Sequence, residues 1–114
     1  MSKTAIAFAT LALLGLASPA IAHLPTFEEQ AARTEERQVI PAPIAGIENK
    51  LWFNYQADLL EAKKELRSDL RHVSDSEDLR DAWDEYRIEL GSARRTYVKQ
   101  MRKRGYRFGD VTVG

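Results

Sequence analysis

From residue 47 to residue 104 the chain carries apolar residues at steps of three and four, and no proline falls in that stretch. This spacing lines one face of an α-helix, whereas a strand repeats every second residue. Ile47, Leu51, Trp52, Tyr55, Leu59, Ala62, Leu66, Leu70 and Val73 mark a first long helix over 47–73. Leu79, Trp83, Tyr86, Leu90, Ala93, Tyr97 and Met101 mark a second over 77–104, with steps close to a heptad seam. Between them, Ser74-Asp75-Ser76-Glu77-Asp78 supplies a turn, three N-cap candidates and acidic residues for the first turn of the next helix. Lys99, Arg102, Lys103 and Arg104 suit the negative end of that helix, and Gly105 suits the residue just past it. Gly91 lies inside the second helix, at about 1 kcal/mol against alanine, and leaves room for another helix to approach.

A turn this short predicts an antiparallel hairpin. Leu70 then faces Leu79, Leu66 faces Trp83, Leu59 faces Leu90 and Trp52 faces Tyr97. Charge favours the same orientation. The acidic first half of the second helix comes beside Lys63, Lys64, Arg67 and Arg71, and its basic second half beside Glu48, Asp58 and Glu61. The fold class expected is therefore all-α, a two-helix hairpin. About ten large apolar side chains barely offset the ordering of two helices. The hairpin is thus expected to dimerise into a four-helix bundle, or to cover one face with Phe27, Ile40, Ile44 and the C-terminal tail.

The flanks are simpler. Lys3 precedes an apolar run of 13 residues, Ala5 to Ala17, followed by Ser18-Pro19 and the small residues Ala20 and Ala22. A membrane span needs about 20 residues, so 1–22 reads as a cleavable signal peptide rather than an uncleaved anchor. The mature chain would begin at His23, in the bacterial periplasm or outside the cell, with no further run able to span a membrane. Losing Lys3 from 17 basic and 17 acidic residues leaves a net charge of about −1, and without a basic excess nucleic acid is not an expected partner. The absence of cysteine excludes a lipoprotein anchor, disulfides and thiolate metal sites. Residues 23–46 give a weak helix capped by Thr26, anchored by Phe27 and Ala31, then a linker set by Pro41 and Pro43. Residues 106–114 alternate as an extended tail.

Few residues carry chemistry. An N-terminal His23 can hold copper through its amine and Nδ1, and His72 is the one other imidazole. That resembles the histidine brace of oxidative polysaccharide monooxygenases, which are mostly β-sandwiches. Against this, a histidine after a cleavage site and another at a helix end need no metal. The acidic run 75–89 lacks the glycine of a calcium loop. Arg94, Arg95, Lys99, Arg102, Lys103, Arg104 and Arg107, interleaved with Tyr97, Tyr106 and Phe108, offer an anionic-surface site in the envelope, unless they serve the helix end and pair with Glu48, Asp58 and Glu61. Trp52, Trp83, Tyr55, Tyr86 and Tyr97 sit on the seams, where core packing competes with an aromatic ligand slot. No serine stands in a nucleophile elbow and no acid–base set is visible. In size, compartment and helix content the chain resembles helical-hairpin envelope chaperones of the Spy and CpxP kind, although their L-T-x-x-Q motif is absent. The expectation is a small exported helical protein without catalysis or a required cofactor. It would work by self-association or by binding an envelope partner.

Overall fold

The computed structural model describes residues 24–108. The expected signal peptide 1–22, His23 and tail residues 109–114 lie outside the described residues. The chain is mostly helical: α1 is Phe27–Glu36, α2 is Lys50–Arg71 and α3 is Ser76–Lys103, with a short 3-10 turn at Ile44–Gly46. No strand occurs among the described residues.

Each helix starts where a side chain accepts from an otherwise unpaired backbone N–H. Thr26 Oγ1 accepts from Glu29 (3.0 Å), Asn49 Oδ1 from Trp52 (3.1 Å) and Asp75 Oδ1 from Asp78 (2.7 Å). The Asn49 cap explains why α2 begins at Lys50 rather than 47. Ala45 and Gly46 take left-handed φ values of 57° and 70°, and Ile47 is extended, so the chain turns before the helix can start. At the other end of α3, Gly105 has φ 93°. Its N–H donates to the Arg102 carbonyl (2.9 Å), and the Tyr106 N–H donates to Met101 (3.0 Å). This is a Schellman closure, and it folds Tyr106 back onto the buried Met101.

Helices α2 and α3 pack along two apolar clusters. Early α2 residues Trp52 and Tyr55 share one cluster with late α3 residues Ala93, Tyr97 and Met101. Late α2 residues Ala62 and Leu66 share the other with early α3 residues Ala82, Trp83, Tyr86 and Leu90. The rings of Tyr55 and Tyr97 stack at 4.9 Å, and Trp52 lies 5.8 Å from Tyr97.

Residues 39–46 form a strap across this pair. Pro41 and Pro43 have no N–H to satisfy. The Ile40 and Ile44 amides each donate over 3.0 Å to a buried hydroxyl, Tyr55 Oη and Tyr97 Oη respectively. Their side chains are only 3% and 4% exposed.

Helix α1 lies on α3. Phe27, expected as its anchor, is 80% exposed, while Ala32, which the sequence reading passed over, is fully buried. With so few apolar residues α1 is held by polar ties instead. Arg94 donates twice to one Glu35 oxygen (2.9 and 3.1 Å), the Tyr86 hydroxyl donates to Glu36 (2.6 Å), and the Arg33 guanidinium sits 4.7 Å from the Trp83 ring centre. Glu35 comes so close to α3 that a Cβ on Gly91 would stand 3.3 Å from its Oε1.

Candidate functional site

α1 and the strap cover one face of the α2–α3 pair. The other face is open. Asp58, Glu61, Glu65 and Asp69 recur at steps of three, four and four along α2, and Asp78, Asp81, Glu85 and Glu89 recur at the same steps along α3. Three adjoining depressions run along this face. The middle one, about 330 Å³, is lined by Asp58, Glu61, Glu65 and Glu89 over Ala62, Ile88 and Ala93. Asp69, Asp78, Asp81 and Glu85 continue it toward the α2–α3 turn, and Leu51, Asn54 and Gln100 toward the far end. No lysine or arginine lines any of the three.

This overturns the expected charge pairing. Among the described residues no ion pair within 4.0 Å joins α2 to α3; Arg33 pairs with Glu29 and Glu36 within α1, Arg87 with Asp84 within α3, and Arg94 of α3 with Glu35 of α1. Lys63, Lys64, Arg67 and Arg71 are exposed and line none of the three depressions. At 3.6 residues per turn, Lys63 and Arg67 fall on the side of α2 away from Glu61 and Glu65. Carboxylates from the two helices therefore meet each other.

Glu65, Glu85 and Glu89 bring one oxygen each within 4.8 Å of the others. Glu65 Oε1 is buried and receives no hydrogen bond. Partial burial, then a proton held against Glu65, then the negative charges of Glu65, Glu85 and Asp69 push the Glu89 carboxyl up to about 7. The three carboxylates have the donor type and spacing to hold a divalent cation.

The residues singled out from the sequence fall as follows. His72 caps the end of α2, exposed, with its Nδ1 donating to the Ser68 carbonyl (2.7 Å), and it borders the turn end of the open face. His23 is outside the described residues, so the two imidazoles are not placed relative to each other. Arg94 is engaged with Glu35 rather than with Glu48, Asp58 or Glu61. Arg95, Lys99, Arg102, Lys103 and Arg104 are exposed along the end of α3, and Arg107 is exposed just beyond it. All five seam aromatics are buried: Trp52 and Trp83 are 6% exposed, Tyr55, Tyr86 and Tyr97 2%. They form core, and leave no aromatic slot. Burial and the bond to Glu36 raise the Tyr86 hydroxyl far above its usual range, so it stays a donor. Asp78, by contrast, is held below the usual carboxylate range by the Ser74 hydroxyl and amide. Among the described residues no helix is long and apolar enough to cross a membrane.

Comparisons with protein-family models, with curated proteins and with solved structures find no match for this chain.

Proposed function

We propose that this chain is a small, non-catalytic interaction protein of the bacterial envelope, exported by residues 1–22, and that its open α2–α3 face receives a cationic polypeptide segment. One observation carries the reading. Eight carboxylates line a groove with an apolar floor and no lysine or arginine of its own, in a chain whose total charge is zero. Helix pairs fill such grooves with further helices. The opposite face is already filled by α1 and the strap, and the acidic rim selects a basic occupant while steering its approach. A chaperone-like or accessory role follows from the same surface, since an open groove of this kind accepts more than one sequence.

The test is calorimetric titration of the exported protein with a lysine-rich amphipathic helical peptide. Binding is expected at low salt and is expected to weaken sharply as the Debye length shrinks from about 10 Å to about 3 Å. A Glu61→Gln/Glu65→Gln/Glu85→Gln/Glu89→Gln variant should lose it. No heat at low salt, or equal binding by the variant, refutes the reading. The intact mass of the same material reports export: a chain beginning at His23 supports the compartment, and an unprocessed chain removes it.

A further inference from the structure

The open face has a second property that a general basic partner does not explain. On α3, Glu85, Glu89, Ser92, Thr96, Lys99 and Lys103 follow one another at steps of four, three, four, three and four. That rhythm keeps all six on a single stripe of the helix. Glu89, Ser92 and Thr96 line the middle depression and Glu85 the adjoining one, which fixes where the stripe points. The stripe is acidic at one end, small and neutral in the middle, and basic at the other.

Such a stripe is complementary to itself when reversed. Laid antiparallel on a copy of itself about its midpoint, Glu85 meets Lys103, Glu89 meets Lys99 and Ser92 meets Thr96, and each pair occurs twice. Sliding by one heptad in one direction sets Lys99 and Lys103 opposite Thr96 and Ser92, and in the other leaves Lys99 opposite Ala82 with Lys103 alone meeting an acid, Asp78. A parallel arrangement sets carboxylates on carboxylates. We propose that the occupant of the open face is a second copy of this chain, docked antiparallel about a two-fold axis at Ser92 and Thr96. This rests on the reading of that face as a binding surface.

Three further features agree. Ser92, Ala93 and Thr96 are small, so two backbones can come close at the axis, where bulkier side chains would hold them apart. Ile88 is 50% exposed beside the stripe and would be covered. Lys99 of a second copy brings an ammonium to the crowded carboxyls of Glu65 and Glu89, which have no cation of their own chain beside them in the groove. The area is adequate: from Glu85 to Lys103 a helix runs about 27 Å, and two helices side by side are about 20 Å wide, giving roughly 550 Å² per copy. That sits at the lower edge of specific interfaces, so the dimer should be reversible and salt-sensitive.

The experiment is sedimentation equilibrium of the exported protein, with helicity checked by circular dichroism. The wild type is expected to be a dimer at about 50 mM salt and to dissociate at about 500 mM. Lys99→Glu/Lys103→Glu and Glu85→Lys/Glu89→Lys should each associate at least about tenfold more weakly alone, and their equimolar mixture should recover a one-to-one dimer. If either reversal misfolds, Lys99→Gln/Lys103→Gln gives the same weakening without repulsion. A wild type that stays monomeric at low salt overturns the second copy, as does a dimer indifferent to both reversals. A monomer that still binds the lysine-rich peptide keeps the binding face and loses only this occupant. A monomer that binds neither overturns both.

Discussion

Replacing Tyr97 with phenylalanine removes one oxygen and tests how the strap is held. The ring is 2% exposed and stacks on Tyr55 at 4.9 Å, so the isosteric change leaves the packing in place. What it removes is the acceptor for the buried Ile44 amide, 3.0 Å away. A buried donor left without a partner costs about 1–3 kcal/mol. Tyr55→Phe does the same to Ile40. Each single variant should lose about 2 kcal/mol, read as a fall of roughly 1 M in the urea midpoint with unchanged slope. The double variant should lose less than the two losses added, because both hydroxyls hold one segment and the strap can leave only once. Hydrogen exchange localises the effect, with the Ile44 amide exchanging faster in Tyr97→Phe and the Ile40 amide in Tyr55→Phe. Tyr86→Phe is the control: its hydroxyl serves Glu36, a carboxylate that water can reach, so its loss should stay below about 1 kcal/mol. An unchanged midpoint together with an unchanged Ile44 exchange rate in Tyr97→Phe refutes the argument.

Two other outcomes follow from the same structure. Because Glu89 is held near 7 in the folded chain, above its ordinary 4.5, the folded state binds that proton more tightly than the unfolded state. Its contribution to stability is therefore fully present below about 4.5 and is lost as pH rises toward 7. At about 1.4 kcal/mol per pH unit the ceiling is about 3 kcal/mol, and solvent in the open groove reduces it to roughly 1. Thermal melts of wild type and Glu89→Gln across pH 4.5–7 should show a slope in the first and a flatter line in the second. Gly91→Ala gains about 1 kcal/mol of helix propensity but sets a methyl 3.0 Å from Arg95 and 3.3 Å from Glu35. It should be near neutral in the wild type and stabilising by about 1 kcal/mol in a Glu35→Ala background, and equal effects in both backgrounds would dismiss the close approach of α1.

The long helices were legible because seam periodicity is a local signal that burial enforces everywhere. The starts of α1 and α3 were legible through Thr26 and the Ser74-Asp75-Ser76 run, whereas the apolar spacing from Ile47 hid the true start of α2, which Asn49 caps at Lys50. The length and Thr26 cap of α1 were legible, but its anchor was misread for an equally physical reason. Phe27 is its one large apolar residue, yet α1 docks through Ala32, Glu35, Glu36 and Arg33, whose partners on α3 lie 50 to 59 residues away for the two glutamates. No local pattern marks such ties. The acidic face was legible and missed. Asp58-Glu61-Glu65-Asp69 and Asp78-Asp81-Glu85-Glu89 share one spacing, which already puts each set on a single helix side. Reading charge by halves of a helix, rather than by faces, hid them.

Tyr55 and Tyr97 belong to different helices, and the strap binds one hydroxyl of each. Both acceptors come into position only after α2 and α3 have met. Docking of the strap is thus expected to follow the pairing of α2 and α3, and its release is expected to precede their separation. A protease that finds a cut site anywhere in 39–46 would report that release, and would meet an intact helix pair underneath.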